Sequence, residues 1–171
     1  QLALATAIRR AVTVLIVALV LILIYAAFRF QFIYGMAAVL CLVHDALFML
    51  AVAAVFRIEF SPTTVAAVLT IIGYSINDTI VIFDRVRENR GLLRDAELAS
   101  LLNTSITQTL GRTILTSTTV FLSIIALFVL ASGDIKNFAL LMLVGIFEGA
   151  YSTIFIASPI VYMWTRANEK R

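Results

Sequence analysis

Apolar residues run along this chain in five long blocks, continuous within each block and separated by short polar breaks. The blocks fall near Val12–Phe28, Phe32–Val55, Thr63–Phe83, Thr113–Ala131 and Phe138–Trp164. Each holds about the twenty residues a helix needs to cross a hydrocarbon layer roughly 30 Å thick. Helix is the physical choice because a backbone in lipid has no water to bond and must pair within its own segment. A β-barrel would show shorter, alternating segments instead. In the break after the third block, Leu98, Leu101, Leu102, Ile106 and Leu110 recur at helical spacing, which predicts an amphipathic helix. The pattern therefore predicts an all-α fold, an integral membrane bundle of about five spans plus one amphipathic cytoplasmic helix. Residues 1–171 form a single transmembrane domain in this reading, with a long loop over 84–110.

Composition sharpens the picture. Of the 171 residues 62% are hydrophobic and only 13% are charged, against about 25% charged in ordinary soluble domains. The mean hydropathy is +1.05. Too few polar groups exist to cover the surface of a soluble domain of this length, so lipid is the expected solvent. The single cysteine, Cys41, excludes an intrachain disulfide, and the single histidine, His44, excludes a multi-histidine metal site.

The breaks between blocks differ in charge. Arg29-Phe30-Gln31 is a short basic hairpin, residues 57–62 form a near-neutral turn with Pro62 opening the third span, and Ser132-Gly133-Asp134 is a tight turn. The 84–110 segment carries Arg85, Arg87, Arg90 and Arg94. With five spans, the Arg29 hairpin, the 84–112 segment and the C-terminal tail share one side and hold nine of the thirteen basic residues. The positive-inside rule makes that side cytoplasmic. Arg9 and Arg10 dissent, lying just before the first span on the other side. The chain opens at Gln1 without a Met, so it reads as a processed or truncated piece of something larger.

Ionisable groups inside the spans are the informative ones, since an Asp or Arg at the middle of a spanning helix costs about 2.5–3.5 kcal/mol on insertion scales. Asp45, Asp78, Glu148 and Arg112 carry that cost. Thr70, Tyr74, Asn77 and Asp78 are expected on one face of span three. Ser105, Gln108, Arg112, Thr116, Thr119 and Ser123 are expected on one stripe of span four. If the stripes face each other, Asp78 lies opposite Arg112. A nearby arginine favours the charged form of an acid and burial disfavours it, so protonation can switch with access to water. Such a pair suits a proton relay, or a static ion pair that sets helix register. Asp45, Asn77, Tyr74 and Thr116 are candidate supporting residues, with Asp45 read first as a hydrogen-bonded packing residue. Gly145 and Gly149 bracket Glu148 at the small-xxx-small spacing that favours close helix packing.

No enzyme is expected. The only lysines, Lys136 and Lys170, follow no glycine-rich loop, and the single histidine stands beside Asp45 within a span, far from any nucleophile–acid set. Work done by such a chain would draw on an ion gradient or a partner.

The block Gly73–Asn89, GYSINDTIVIFDRVREN, closely resembles the signature of the SecF family of bacterial protein-export subunits. The likeness continues in Leu42-Val43-His44-Asp45, in Gly111-Arg112-Thr113 with Thr116-Ser117, and from Tyr151-Ser152-Thr153-Ile154-Phe155 to Pro159. It covers nearly the whole chain. It implies membership of the resistance-nodulation-division superfamily and a bacterial inner-membrane location. SecF proteins have six spans with a periplasmic domain after the first, and this chain looks like spans two to six. The resemblance implies a SecD-like partner, the SecYEG channel and an unfolded exported polypeptide as partners, in contact with membrane lipid. Protons, or sodium in some relatives, would be the coupling ion. No cofactor, metal or nucleic acid is expected. Asp78 matches the family's functional acid and Arg112 the arginine opening the next span. Asp84, Arg85, Arg87 and Glu88 match the cytoplasmic end of the motif, where packing and loop anchoring are the implied roles. Glu148 departs from the small or apolar residue expected there. Two rival functions share this pattern: a small-solute or lipid exporter of the same superfamily, and a passive scaffold of a membrane complex.

Overall fold

The computed structural model describes residues 2–29, 32–93 and 96–169, all but a few of them helical. Gln1, Phe30, Gln31, Arg94, Asp95, Lys170 and Arg171 lie outside the described residues; they include part of the first hairpin, one arginine of the 84–110 segment and the basic tail. The helices are α1 (Leu2–Arg29), α2 (Phe32–Val55), α3 (Pro62–Leu92), α4 (Leu98–Leu130), α5 (Gly133–Ser152) and α6 (Ser158–Glu169), with a π-helical turn Thr153–Ala157 joining the last two. Four stretches are long and apolar enough to cross a membrane: Phe32–Val55, Pro62–Leu92, Leu98–Leu130 and Gly133–Asn168. In α1 the apolar stretch among the described side chains is Val12–Tyr25.

Local chemistry sets the helix ends. Ser61 caps α3: its Oγ accepts from the Thr64 amide at 3.3 Å, and Pro62 opens the first turn. Helix α2 closes with Ile58 N–H on Ala53 O and Arg57 N–H on Ala54 O. Arg57 holds the left-handed conformation (φ 54°) that glycine usually fills in this closing motif. The π-helical turn precedes Pro159, which has no N–H to continue an α-helical ladder. There the Ser158 amide reaches back five residues to Thr153 O, and the Ser158 hydroxyl bonds the same carbonyl at 3.1 Å.

Within the 84–110 segment the expected amphipathic stretch is a helix that packs and leads into the fourth span, and the loop around it is shorter than expected. Helix α3 continues to Leu92, α4 begins at Leu98, and the amphipathic stretch runs unbroken into the fourth span. Both halves gain from packing: Leu101 and Leu102 bury against a core cluster that includes Ile82, Phe83, Val86, Ala157 and Val161. Gly111, at the join, does not interrupt the ladder. Leu110 is 38% exposed and falls outside the buried stripe.

Helix α3 touches α1, α2, α4 and α5. Its tightest seam is with α5, where a Cβ added to Gly145 would come 2.4 Å from Ile71 Cγ1 and one on Gly149 3.2 Å from Ser75 Cβ. The small-xxx-small spacing thus brings α3 and α5 together, as expected of it. Two apolar clusters fill the interior. One is built on Leu42, Met49, Val68, Ile71, Leu141 and Ile146, the other on Tyr34, Cys41, Phe83, Val86, Leu101 and Val161. Between them in chain order come Ser75 and Thr79 on α3, Glu148 and Ser152 on α5, and Thr153 at the start of the π-helical turn, all buried. Asp45 is the buried acid that α2 adds beside them.

Candidate functional site: a polar layer across the helix bundle

Helices α3 and α4 run antiparallel and are joined by side-chain hydrogen bonds along much of their length. At the loop end, Asn89 Nδ2 donates to Ser105 Oγ and to Gln108 Oε1, each at 2.8 Å. Arg85 Nε donates to the same Gln108 oxygen at 2.6 Å and Arg85 Nη1 to Glu88 Oε2 at 2.6 Å. Deeper in, the Thr113 hydroxyl donates to Asp78 Oδ1 at 2.5 Å. One turn further, Tyr74 Oη and Ser117 Oγ lie 2.9 Å apart in a hydrogen bond. Asp78 Oδ2 is buried and has no hydrogen-bond partner among the described residues. An open cleft of ≈ 340 Å³ lies at the loop end of this seam, lined by residues that include Asp84, Gln108, Thr109 and Arg112. Thr109 and Arg112 stand one turn from Thr113 and next to it in sequence, so the cleft wall adjoins the residue that holds Asp78.

The opposite side of α3 faces α2 and α5. Ser75 Oγ–H donates to Asp45 Oδ2 at 2.5 Å, and Thr79 Oγ1 pairs with Thr153 Oγ1 at 2.9 Å. His44 Nδ1 lies 3.4 Å from Asp45 Oδ1 and 3.3 Å from Glu148 Oε1. The approach to Glu148 is short enough for an ion pair but not aligned as a hydrogen bond, so Glu148 Oε1 stays unbonded. Asp45 is fully buried and Glu148 only 8% exposed.

The expected pairing of Asp78 with Arg112 is replaced by a pairing with its neighbour. Among the described residues no ion pair joins them: Arg112 is exposed on the cleft wall, near enough for its charge to act on Asp78, while Thr113 is buried and makes the contact. The α4 side chains bonded to α3 are Ser105, Gln108, Thr113 and Ser117, so the expected stripe holds at Ser105 and Gln108, and beyond them Thr113 and Ser117 make the contacts expected of Arg112 and Thr116. Thr116 is exposed, and its hydroxyl bonds back to the Arg112 and Thr113 carbonyls. Asn77 and Thr70 are also exposed, so of the expected α3 face only Tyr74 and Asp78 turn to α4. Asp45 is buried and accepts a hydrogen bond from Ser75, as a packing residue would, and its carboxylate also lies close to His44 and Glu148. The missed signal was a strict spacing of four: hydroxyl residues stand at 105, 109, 113 and 117. A charge drew attention to Arg112, but a short hydroxyl fits a close helix contact where a long guanidinium does not.

Residues 4–167 match the family model described as "Protein export membrane protein SecD/SecF, C-terminal". The chain is 49% identical over 142 residues to the protein translocase subunit SecF of Borreliella burgdorferi, an alignment covering 83% of this chain and 48% of that protein. It is 48% identical over 156 residues to the protein translocase subunit SecDF of Thermus thermophilus, covering 91% of this chain and 21% of that protein. A crystal structure of SecDF, a translocon-associated membrane protein from Thermus thermophilus, superposes with a TM-score of 0.87 at 47% identity, over 92% of this chain and 22% of that one. The chain thus spans about half the length of the SecF relative and about a fifth of the SecDF relative. A helical membrane bundle with this motif order, these relatives and this superposition belongs to the SecD/SecF C-terminal family of protein-export membrane proteins.

Proposed function

We propose that this chain forms the membrane part of a SecF-type subunit of the bacterial Sec export machinery in the inner membrane. There it works with a SecD-like partner beside the SecYEG channel and uses the proton gradient to help draw unfolded polypeptide outward. The SecD-like partner is supported by relatives that carry the name SecDF.

One observation carries the proton-coupled reading. Asp78 is held by a single hydroxyl at 2.5 Å, its second oxygen is buried without a partner among the described residues, and a polar cleft lined by Val81, Thr109 and Arg112 lies within one helical turn of this pair along the chain. A static structural acid normally has both oxygens satisfied, since an unpaired buried acceptor costs about 1–3 kcal/mol. An acid that exchanges a proton needs an oxygen free to take it. Protonation would remove the charge that Arg112 attracts and turn Oδ2 into a donor, so the α3–α4 seam would gain a second arrangement. Shifting between the two is the motion that a gradient can bias, at about 2.3 kcal/mol per charge per 100 mV. Asp78→Asn in the full-length subunit should abolish the gradient-dependent part of export in membrane vesicles while leaving assembly with the partner intact. Normal gradient-dependent export by that variant removes Asp78 from the mechanism.

A further inference from the structure

The polar layer contains more ionisable groups than proton carriage at Asp78 requires. Across α3, His44 Nδ1, a carboxylate oxygen of Asp45 and one of Glu148 all lie within 4.8 Å of one another. Glu148 is 8% exposed and its Oε1 is buried without a hydrogen bond, yet stands 3.3 Å from the imidazole. These three atoms are all acceptors when unprotonated, so with no proton among them the imidazole lone pair would face a carboxylate oxygen on each side, at 3.3 and 3.4 Å. Charge is equally restrictive. A neutral imidazole with two carboxylates carries −2 and an imidazolium with two carboxylates carries −1. The site is neutral only if at least one carboxyl is protonated. Net charge in the middle of a span is costly, so a protonated carboxyl is the arrangement the surroundings favour.

The two acids are not equivalent. Both oxygens of Asp45 are occupied, Oδ2 by the Ser75 hydroxyl at 2.5 Å and Oδ1 facing His44 at 3.4 Å, with Ser152 beside the same carboxylate. Glu148 has the unbonded oxygen. We propose that His44, Asp45 and Glu148 form a second proton-binding site, separate from Asp78, in which the exchangeable proton resides on Glu148. Among the described residues the other titratable group near it is the Cys41 thiol, one turn from Asp45 on α2; α3 contributes the Ser75 hydroxyl. The His44 side chain is 42% exposed while its Nδ1 points at the carboxylates, so the ring links the site to the outside of the bundle. Ser75 lies one turn from Asp78 on α3, so a change at Asp45 is passed to the helix that carries the first acid. The site deepens the proton-coupled reading and rests on that reading for its use, but not for its existence. A divalent metal is the competing occupant, although three donors fall short of the four that closed sites use.

The test is infrared difference spectroscopy between low and high pH on the full-length subunit with its partner in lipid vesicles. A protonated-carboxyl band should be lost in Glu148→Gln, persist in Asp78→Asn, and titrate at a different pH in His44→Gln. If Glu148→Gln does not assemble, the displaced titration in His44→Gln decides the matter. An unchanged band set in Glu148→Gln, an undisplaced titration in His44→Gln, or stoichiometric divalent metal found by elemental analysis and lost in Glu148→Gln overturns the proposal. A band lost in Glu148→Gln and kept in Asp78→Asn, together with normal export by Asp78→Asn, would sink only the role of Asp78, so the two readings fail separately.

Discussion

The contact between Thr113 and Asp78 carries the argument at the scale of single residues. A hydroxyl of that kind holds an acid in place without neutralising it, whereas an arginine in the same position would lock it as an ion pair. Hydrogen bonds between helices in bilayers average about 0.6 kcal/mol and reach about 1.7, so the contact positions more than it stabilises. Thr113→Val is therefore expected to cost stability about 1 kcal/mol. Its effect on gradient-dependent export should be larger, roughly tenfold, because bonds to charged groups are worth about 1.5–3 kcal/mol. Thr113→Ser keeps the hydroxyl and should export like the parent. Export assays on the two variants side by side check this, and equal rates for Val and Ser would deny Thr113 a positioning role. Arg112, exposed on the cleft wall, acts at longer range and tolerates more.

Among elements, α3 is the hinge of the design because its two sides do different things. Towards α4 it presents Tyr74, Asp78, Arg85 and Asn89, bonded at intervals to Ser117, Thr113, Gln108 and Ser105. Towards α5 it presents Ile71 and Ser75 to two glycines, with no room for a side chain. The α3–α5 seam is thus close-packed, and the α3–α4 seam is joined by polar side chains, the seam the proposed protonation of Asp78 would alter. Gly145→Ala should destabilise the bundle by about 1–3 kcal/mol through overpacking, since its Cβ would sit 2.4 Å from Ile71 Cγ1. Ile71→Val in the same chain should recover part of that loss. Unfolding titrations in detergent micelles on the single and double variants would show it, and an unchanged midpoint in Gly145→Ala would mean the seam is looser than it looks.

For the whole molecule, two apolar clusters with buried polar groups between them place the ionisable side chains at mid-bundle, away from either polar end. Exposed apolar residues such as Leu115, Leu122, Val129 and Leu130 coat the outer half of α4, a surface suited to lipid or to another membrane helix. The charge distribution gives the orientation a direct test. A cysteine placed at Leu93, in the short α3–α4 connection, should react with an impermeant thiol reagent only from the cytoplasmic side. One placed at Ser132, in the α4–α5 turn, should react only from the opposite side. The reverse pattern would overturn the orientation read from the arginines.

How much of this could be read before any coordinates follows from the range of each force. Hydrophobic continuity is a property of consecutive residues, so the membrane class, the helices and the acids at 45, 78 and 148 were legible from the chain alone. So was the family, because its motif is contiguous from Gly73 to Asn89. That the helix carrying Gly145 and Gly149 would pack closely was legible too, since a gap of four residues between glycines is a local fact; that α3 is its partner was not. Which residue meets Asp78 was not. That choice depends on the rotation of α4 about its own axis, and one residue of register turns a helix by about 100°. Packing of Leu101 and Leu102 against the core, far away in sequence, sets the rotation and brings in Thr113 instead of Arg112. The meeting of Glu148 with His44 and Asp45, over a hundred residues apart, likewise needed α2 and α5 to be placed side by side.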